Sequence, residues 1–154
     1  MNKGEFLTLF NNLNTLGGLK GVNFSYAVAK NLNHMKNEVE AIQKTIEETE
    51  VFVEFNTKRV ALAEEHSEKG KDGKPVTEGT EYVLADEAAF EKAFKKLQKE
   101  YKEAIDARDT QVEDYKKLLD EEVTDFKPHM IKLAKVPEEI STQQMAQIFE
   151  IVEE

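Results

Sequence analysis

Apolar residues recur at alternating steps of three and four positions through the first half of the chain, and this spacing constrains the fold more than any other feature. The series runs from Leu32 to Ala63, with Thr49 and Asn56 in the two slots that lack an apolar residue. A helix places such residues on one stripe, and a repeat sustained over about four and a half heptads is typical of a coiled coil. Neither Gly nor Pro interrupts residues 24–69. The pattern therefore predicts one helix of about 40 residues, roughly 60 Å long, which needs a partner to bury its stripe.

A second stretch with the same spacing follows residue 86 and supplies that partner. Asp86 is a favourable N-cap, and we expect the helix to end near Glu121. Arg108 and Gln111 occupy positions on this second stripe, which we interpret as a polar layer that fixes the register of pairing. Together the stretches predict a long antiparallel helical hairpin, or coiled coil. Its predicted seam residues are Leu32, Met35, Val39, Ile42, Ile46, Val53, Val60, Phe94, Leu97, Tyr101, Tyr115 and Leu118.

Turn-prone residues separate the two predicted helices. The dipeptide Asp72-Gly73 favours a tight turn, and Pro75 prevents a helix from continuing. Two short β-prone runs, 74–77 and 81–84, flank Glu78-Gly79-Thr80. These features predict a small β-hairpin at the tip of the helical hairpin.

The two ends of the chain predict smaller elements around the hairpin. Apolar residues at helical spacing near the start predict a short amphipathic helix, and the glycines after it form a hinge. Near the end, extended runs come before a capping box at Ser141 and Gln144 that opens a last helix. We therefore predict a mostly α protein with a small β-hairpin, one domain overall. Its segments are the N-terminal helix and hinge (1–23), the hairpin (24–121, with its insert at about 69–85) and a small mixed C-terminal head (122–154).

Composition excludes several classes of function. The chain has 31 Asp and Glu against 21 Lys and Arg, a net charge of −10, whereas a protein that binds nucleic acid directly needs a basic face. It lacks cysteine, which rules out disulfides, thiolate nucleophiles and Cys-ligated metals. No apolar run is long enough for a membrane span or resembles a signal peptide. We accordingly expect a cytoplasmic protein that binds neither nucleic acid nor membranes.

The residue patterns of known catalytic sites are also missing. The histidines His34, His66 and His129 stand at unrelated places, and no motif supplies a second ligand at metal-binding spacing. No nucleophile elbow, zinc-protease or EF-hand pattern occurs. We expect no enzymatic activity, no cofactor and no bound metal.

One stretch carries a family resemblance. Residues 22–31, VNFSYAVAKN, resemble the F-x-Y-A-x-A-K-N opening of a family of small uncharacterised proteins encoded by tailed bacteriophages and prophages, in which a long charged helix follows. The runs 61–64, 72–76 and 137–140 are similar to later parts of that family. The resemblance implies a phage or prophage origin, action in the host cytoplasm and no established activity.

These observations predict a self-associating interaction protein, a homo-oligomer that binds a host or phage protein. The alternatives are an acidic inhibitor that occludes a nucleic-acid enzyme, as a nucleic-acid mimic or anti-defence factor, and a minor virion or assembly component. The last 35 residues hold much of the negative charge, and either solubility or partner binding explains this. The aromatic residues Phe24 and Tyr26 are explained either by partner binding or by packing within the protein. The candidate partner-binding residues are Phe24, Tyr26, Lys30, Tyr82, Glu121, Glu122, Asp125, Glu138 and Glu139.

Overall fold

The computed structural model describes residues 1–154 and shows a mostly α fold, as predicted, with six α-helices and two small pairs of strands. The helices are α1 (Lys3–Asn14), α2 (Val22–Lys44), α3 (Glu50–Glu65), α4 (Glu87–Glu100), α5 (Lys102–Asp120) and α6 (Thr142–Ile148). The strands are β1 (Thr77–Glu78), β2 (Glu81–Tyr82), β3 (Ile131–Lys132) and β4 (Val152–Glu153). None of the helices is both long enough and apolar enough to cross a membrane.

The chain forms two compact units whose boundaries differ from the three predicted segments. Unit 1 comprises Met1–Ile46 and Glu113–Glu154, and unit 2 comprises Glu47–Val112. Unit 2 is therefore inserted, in sequence, between the two parts of unit 1.

The prediction of one continuous helix of about 40 residues is wrong, because the chain leaves the helical conformation between α2 and α3. The hydroxyl of Thr45 donates to the carbonyl of Ile42 at 2.6 Å and helps to end α2. The side chain of Thr49 then accepts a hydrogen bond from the amide of Phe52 at 3.3 Å and caps α3. Side-chain hydroxyls that bond nearby backbone groups favour helix ends over helix interiors. Ile46, a predicted seam residue, lies in this connection and is half-buried.

The core of unit 1 lies where α1 packs on α2 and α6. It contains three of the predicted seam residues, Met35, Val39 and Ile42, all at most 2% exposed. The seam residues Leu32, Tyr115 and Leu118 are half-buried against the same core. The remaining core residues are Phe6, Leu9, Leu13, Leu16, Phe24, Ala27, Val28, Ile131, Ile148 and Ile151. At about 25 cal/mol per Å² of apolar surface, this cluster is the main source of the unit's stability.

Local signals set the helix ends in unit 1. The predicted capping box of α6 is confirmed, since Ser141 and Gln144 exchange side-chain and backbone hydrogen bonds. Helix α2 begins after Gly21, whose φ of 130° lies in a region that side-chain-bearing residues rarely adopt. Beyond α6 the chain forms a short 3₁₀ turn over 149–151 and then β4, which pairs in parallel with β3.

The helical spacing of Met145, Ile148, Phe149 and Val152 predicts a last helix that continues to Val152, but α6 ends at Ile148. Val152 pairs with Ile131 across β3 and β4, and Phe149, placed by its spacing on the packed side of that helix, is 74% exposed. The run Val123–Phe126, one of the predicted extended runs, forms no strand. The amide of Val123 instead donates to the carbonyl of Met1 at 3.0 Å, and the ring of Phe126 packs edge-on against Phe6 with centroids 5.0 Å apart.

Unit 2 is built on α3 and α4, which contact each other along their lengths. The ring pairs run in opposite directions along the two helices: His66 meets Phe90 and Phe55 meets Tyr101. This order shows that the helices are antiparallel. The predicted N-cap Asp86 is confirmed by a 3.0 Å hydrogen bond from the amide of Ala89, and the predicted hairpin is confirmed as the antiparallel pair β1–β2.

The inward face of α3 differs by one position from the predicted seam. Phe55 contacts Phe94 of α4 and is only 6% exposed, Leu62 lines a groove with Leu97 of α4, and Phe52 contacts Phe55. The predicted seam residues Val53 and Val60 are 47% and 45% exposed. The break at residues 45–49 explains the shift, because α3 starts a new helical phase that need not continue that of α2.

Candidate interaction surfaces

One flank of α3 exposes two large apolar side chains, those of Val53 and Val60. Val53 and Val60 lie one heptad apart and therefore share one side of the helix. Beside Val60 a groove of about 380 Å³ runs between the helices and the β-hairpin. Its walls are Arg59, Val60 and Ala63 from α3, Thr80, Glu81, Tyr82 and Leu84 from the tip, and Phe90 and Phe94 from α4.

The structure brings two kinds of predicted residue together at this groove. Tyr82, a candidate partner-binding residue, is half-buried and lines it beside the seam residues Val60 and Phe94. Phe94 stacks at 5.7 Å between ring centroids on Phe90. A pair of helices has too few neighbours to enclose its own aromatic residues, so these rings stay partly open to solvent.

The candidate residues at the start of α2 divide into buried and exposed positions. Phe24 is 1% exposed and belongs to the core of unit 1, so its ring is not accessible to a partner. This agrees with the alternative explanation that Phe24 serves packing. Tyr26 is 61% exposed, and the Nζ of Lys30 lies 5.9 Å from its ring centroid. Lys30 and Tyr26, one turn apart on α2, thus form a cation–π contact. The ring of Tyr26 also contacts His129 edge-on at 6.0 Å.

The predicted acidic surface is partly neutralised. Glu121 pairs with Lys3 at 2.8 Å, and Glu122 pairs with the amino group of Met1 at 3.0 Å. Asp125, Glu138 and Glu139 are exposed. A cleft of about 610 Å³ in unit 1 is lined by Lys3, Phe6, His34, Glu38, Glu122, Val123, Thr124, Asp125, Phe126 and Lys127. Its acids are mixed with lysines, and no group of three or more His, Asp or Glu is arranged to hold a metal ion.

The polar layer predicted at Arg108 lies inside unit 2. The guanidinium of Arg108 lies 5.6 Å from the ring centroid of Phe52 and 3.8 Å from the carboxylate of Glu48, and it donates to the side chain of Gln111 at 2.8 Å. The amide of Gln111 reaches the carbonyl of Glu47 at 3.0 Å. These contacts fit the interpretation of Arg108 and Gln111 as residues that fix helix pairing.

A polar cluster at Tyr101 joins α3 to the junction of α4 and α5. The buried Tyr101 hydroxyl donates to the carboxylate of Glu54 at 2.7 Å and accepts from the Nζ of Lys58 at 2.5 Å, while Lys58 and Glu54 lie 3.0 Å apart. The hydrogen bond from Tyr101, and then that from Lys58, lowers the pKa of Glu54. The same hydroxyl is the largest cause of the raised pKa of Lys58.

Replacing Tyr101 with phenylalanine should raise the pKa of Glu54 toward its usual range, because the largest stabiliser of the carboxylate is removed. A carboxyl group with a lowered folded-state pKa stabilises the fold above its unfolded pKa, and this contribution is lost as the pH falls through the folded value. NMR titration of the Glu54 carboxyl carbon measures the shift. Tyr115→Phe, outside this cluster, is the control. An unchanged Glu54 titration in Tyr101→Phe would contradict the assignment.

One buried polar residue of unit 1 is absent from the predicted binding and seam residues. Asn31 is fully buried, and its side chain clamps the backbone of His129, donating to the carbonyl at 2.9 Å and accepting from the amide at 2.7 Å. Sequence reasoning included Asn31 only as the last letter of the family-like opening. The sequence contains one indication of this role, since Asn31 is a polar residue on the apolar side of a predicted helix.

Comparison of the chain with protein-family models, with curated proteins and with solved structures finds no match. The resemblance to a phage family stays a prediction, and the interpretation of function depends on the surfaces described above.

Proposed function

We propose that this chain is a non-enzymatic interaction protein of the phage type that self-associates through α3 and binds a host or phage protein. The observation that carries the proposal is the exposure of Val53 and Val60. These two large apolar side chains are separated by one heptad and lie outside the packing between α3 and α4. Contiguous exposed apolar patches mark protein–protein contacts, whereas singly scattered exposed apolar residues are normal.

The groove beside these valines supports the same proposal. It offers aromatic walls at Tyr82, Phe90 and Phe94 next to the valine stripe. Aromatic residues in partly desolvated pockets contribute strongly to protein interfaces. In this proposal the heptads form a coiled coil between copies, and the long hairpin expected from the sequence is replaced by shorter helices from separate chains.

The second part of the proposal concerns a different protein partner. Tyr26 and Lys30 offer it an exposed aromatic ring with an adjacent cation on unit 1. The resemblance of residues 22–31 to a phage family supports an origin in a phage or prophage and action in the host cytoplasm. A minor virion or assembly component would share this surface and would be found in purified particles.

The exposed acids Asp125, Glu138 and Glu139 favour a second candidate function, inhibition of a basic nucleic-acid enzyme. The ion pairs of Glu121 and Glu122 reduce the free negative charge, which makes this candidate the weaker one. Binding that weakens steeply with salt would distinguish it from an apolar interface.

The double variant Val53→Asp, Val60→Asp should abolish self-association. Two carboxylates on the stripe would have to be desolvated in any apolar interface, at a cost of several kcal/mol. Light scattering coupled to size-exclusion chromatography, over a range of protein concentrations, measures the mass of the wild type and the variant. We expect a concentration-dependent oligomer for the wild type and a monomer for the variant.

Val51→Asp is the matched control for this experiment. Val51 is on the same helix and is 53% exposed, but it projects on the opposite side from Val53 and Val60 at about 100° per residue. It should leave the mass unchanged, and all variants should keep the circular dichroism of the wild type. A wild type that stays monomeric at every concentration would overturn the proposed self-association.

A further inference from the structure

The exposed stripe of α3 has a definite composition. Val53, Asn56, Val60 and Ala63 follow the three-four spacing, and they lie on the flank of α3 outside the face that packs on α4. Helical phase separates the two faces, since Phe55 and Leu62 project roughly 140–180° away from the two valines at about 100° per residue. Helix α3 can therefore keep its contacts with α4 while its flank contacts another helix.

The residues on the stripe favour one kind of partner. Val53 and Val60 occupy the first position of successive heptads, and β-branched residues there favour two-stranded parallel coiled coils. Asn56 lies between them on the same stripe and is half-buried. A half-buried amide on the stripe needs a hydrogen-bond partner, and in a parallel in-register pair the Asn56 amides of the two chains face each other.

The charges that flank the stripe distinguish the two possible directions. In a parallel pair, a residue that flanks the stripe on one chain lies next to the residue numbered five higher on the other chain. Arg59 of each chain therefore lies next to Glu64 of the other. In an antiparallel pair centred on the stripe, Glu64 of each chain would lie next to Glu50 of the other. Attraction between unlike charges and repulsion between like charges both favour the parallel direction.

From these observations we infer that α3 pairs with α3 of a second copy of this chain, parallel and in register, through Val53, Asn56, Val60 and Ala63. This inference rests on the self-association proposed above and names its occupant, direction and register. Val60 and Ala63 also form one edge of the groove that Tyr82 and Phe90 line. The second copy's α3 covers that edge.

Single cysteine variants test the inference, because the chain has no cysteine of its own. In a parallel in-register pair, residue 60 faces residue 60 of the second copy closely enough for a disulfide, which needs Cα atoms about 4.4–6.8 Å apart. Val60→Cys and Val53→Cys should each give a disulfide-linked dimer under mild oxidation. Val51→Cys, equally exposed on the other side of α3, should give little.

Mixing Val53→Cys with Ala63→Cys protein tests the opposite direction, because residue 53 faces residue 63 of the second copy in an antiparallel pair centred on the stripe. A parallel pair should give only the two homodimers, whereas an antiparallel pair centred on the stripe should give the mixed dimer. If the wild type is dimeric but the mixed cysteine variants give the mixed dimer and no homodimers, this inference is overturned and the proposed self-association stays intact. A monomeric wild type would overturn both.

A charge exchange provides an independent measurement. Arg59→Glu should raise the dissociation constant of the dimer by about 2–10-fold, since two exposed ion pairs become repulsive contacts. Adding Glu64→Arg to that variant should restore the wild-type constant, because the unlike charges face each other again. An additive loss in the double variant would contradict the parallel register.

Discussion

Replacing Asn31 with leucine should lower the free energy of unfolding by about 2–4 kcal/mol. The Asn31 side chain gives the amide and the carbonyl of His129 their hydrogen bonds, and it does so from a fully buried position on α2. Leucine has a similar volume, so it removes both bonds without leaving a large cavity. A buried backbone group that loses its partner keeps its full desolvation penalty, and here two such groups lose theirs together.

Urea unfolding followed by circular dichroism measures this loss. Asn33→Leu is the matched control, since Asn33 is two residues away on the same helix and exposed. It should change stability by less than about 0.5 kcal/mol. If the Asn31 variant were as stable as this control, the backbone of His129 would be satisfied in some other way and the clamp would have no energetic role.

Replacing Met35 with alanine should cost about 2–5 kcal/mol. Met35 is completely buried at the centre of α2, in the core that α1, α2 and α6 share. Truncation removes its transfer free energy and leaves a cavity whose walls can relax only partly. A loss of this size is a large fraction of the stability of a small unit, so the variant should be partly unfolded near physiological temperature.

Thermal unfolding compares Met35→Ala with Met130→Ala, because Met130 is 36% exposed and makes a fair control for the same substitution. The control should lower the midpoint only slightly. Equal effects of the two substitutions would mean that the packing of α2 in unit 1 is incorrectly assigned.

Sequence periodicity predicted the parts of the fold that depend on local interactions. Met35, Val39 and Ile42 were assigned to one buried stripe and share it, because a helix fixes the direction of residues three and four apart regardless of what they pack against. Caps such as Ser141 and Asp86 were likewise readable, since their hydrogen bonds reach only three residues along the chain.

Other features depend on contacts that no local pattern encodes. The strands β3 and β4 pair across α6 with only two residues each, too few for a periodic signal. The break between α2 and α3 depends on Thr45 and Thr49, and a threonine on a long stripe looks the same whether it ends a helix or continues it. That break changes the helical phase, and it moves Val53 and Val60 from an expected core to the surface.

The same limit applies to the candidate surfaces. The sequence places Tyr82 in a β-prone run and places Phe90 and Phe94 in a helix. It gives no indication that the three side chains line one groove. Phe24 was a reasonable candidate because an aromatic residue near a helix start suits either packing or binding, and its burial decides for packing.

The division of unit 1 into two distant stretches of chain has a consequence for synthesis on the ribosome. The apolar face of α2, with Met35 and Ile42, emerges long before α6 and β4, and all of unit 2 is translated in between. At a translation rate of about 5–20 residues per second, that face stays without α6 and β4 for several seconds. Unit 2 is continuous and can fold during the wait, whereas a ribosome that stalls within it would leave unit 1 without the half that closes its core.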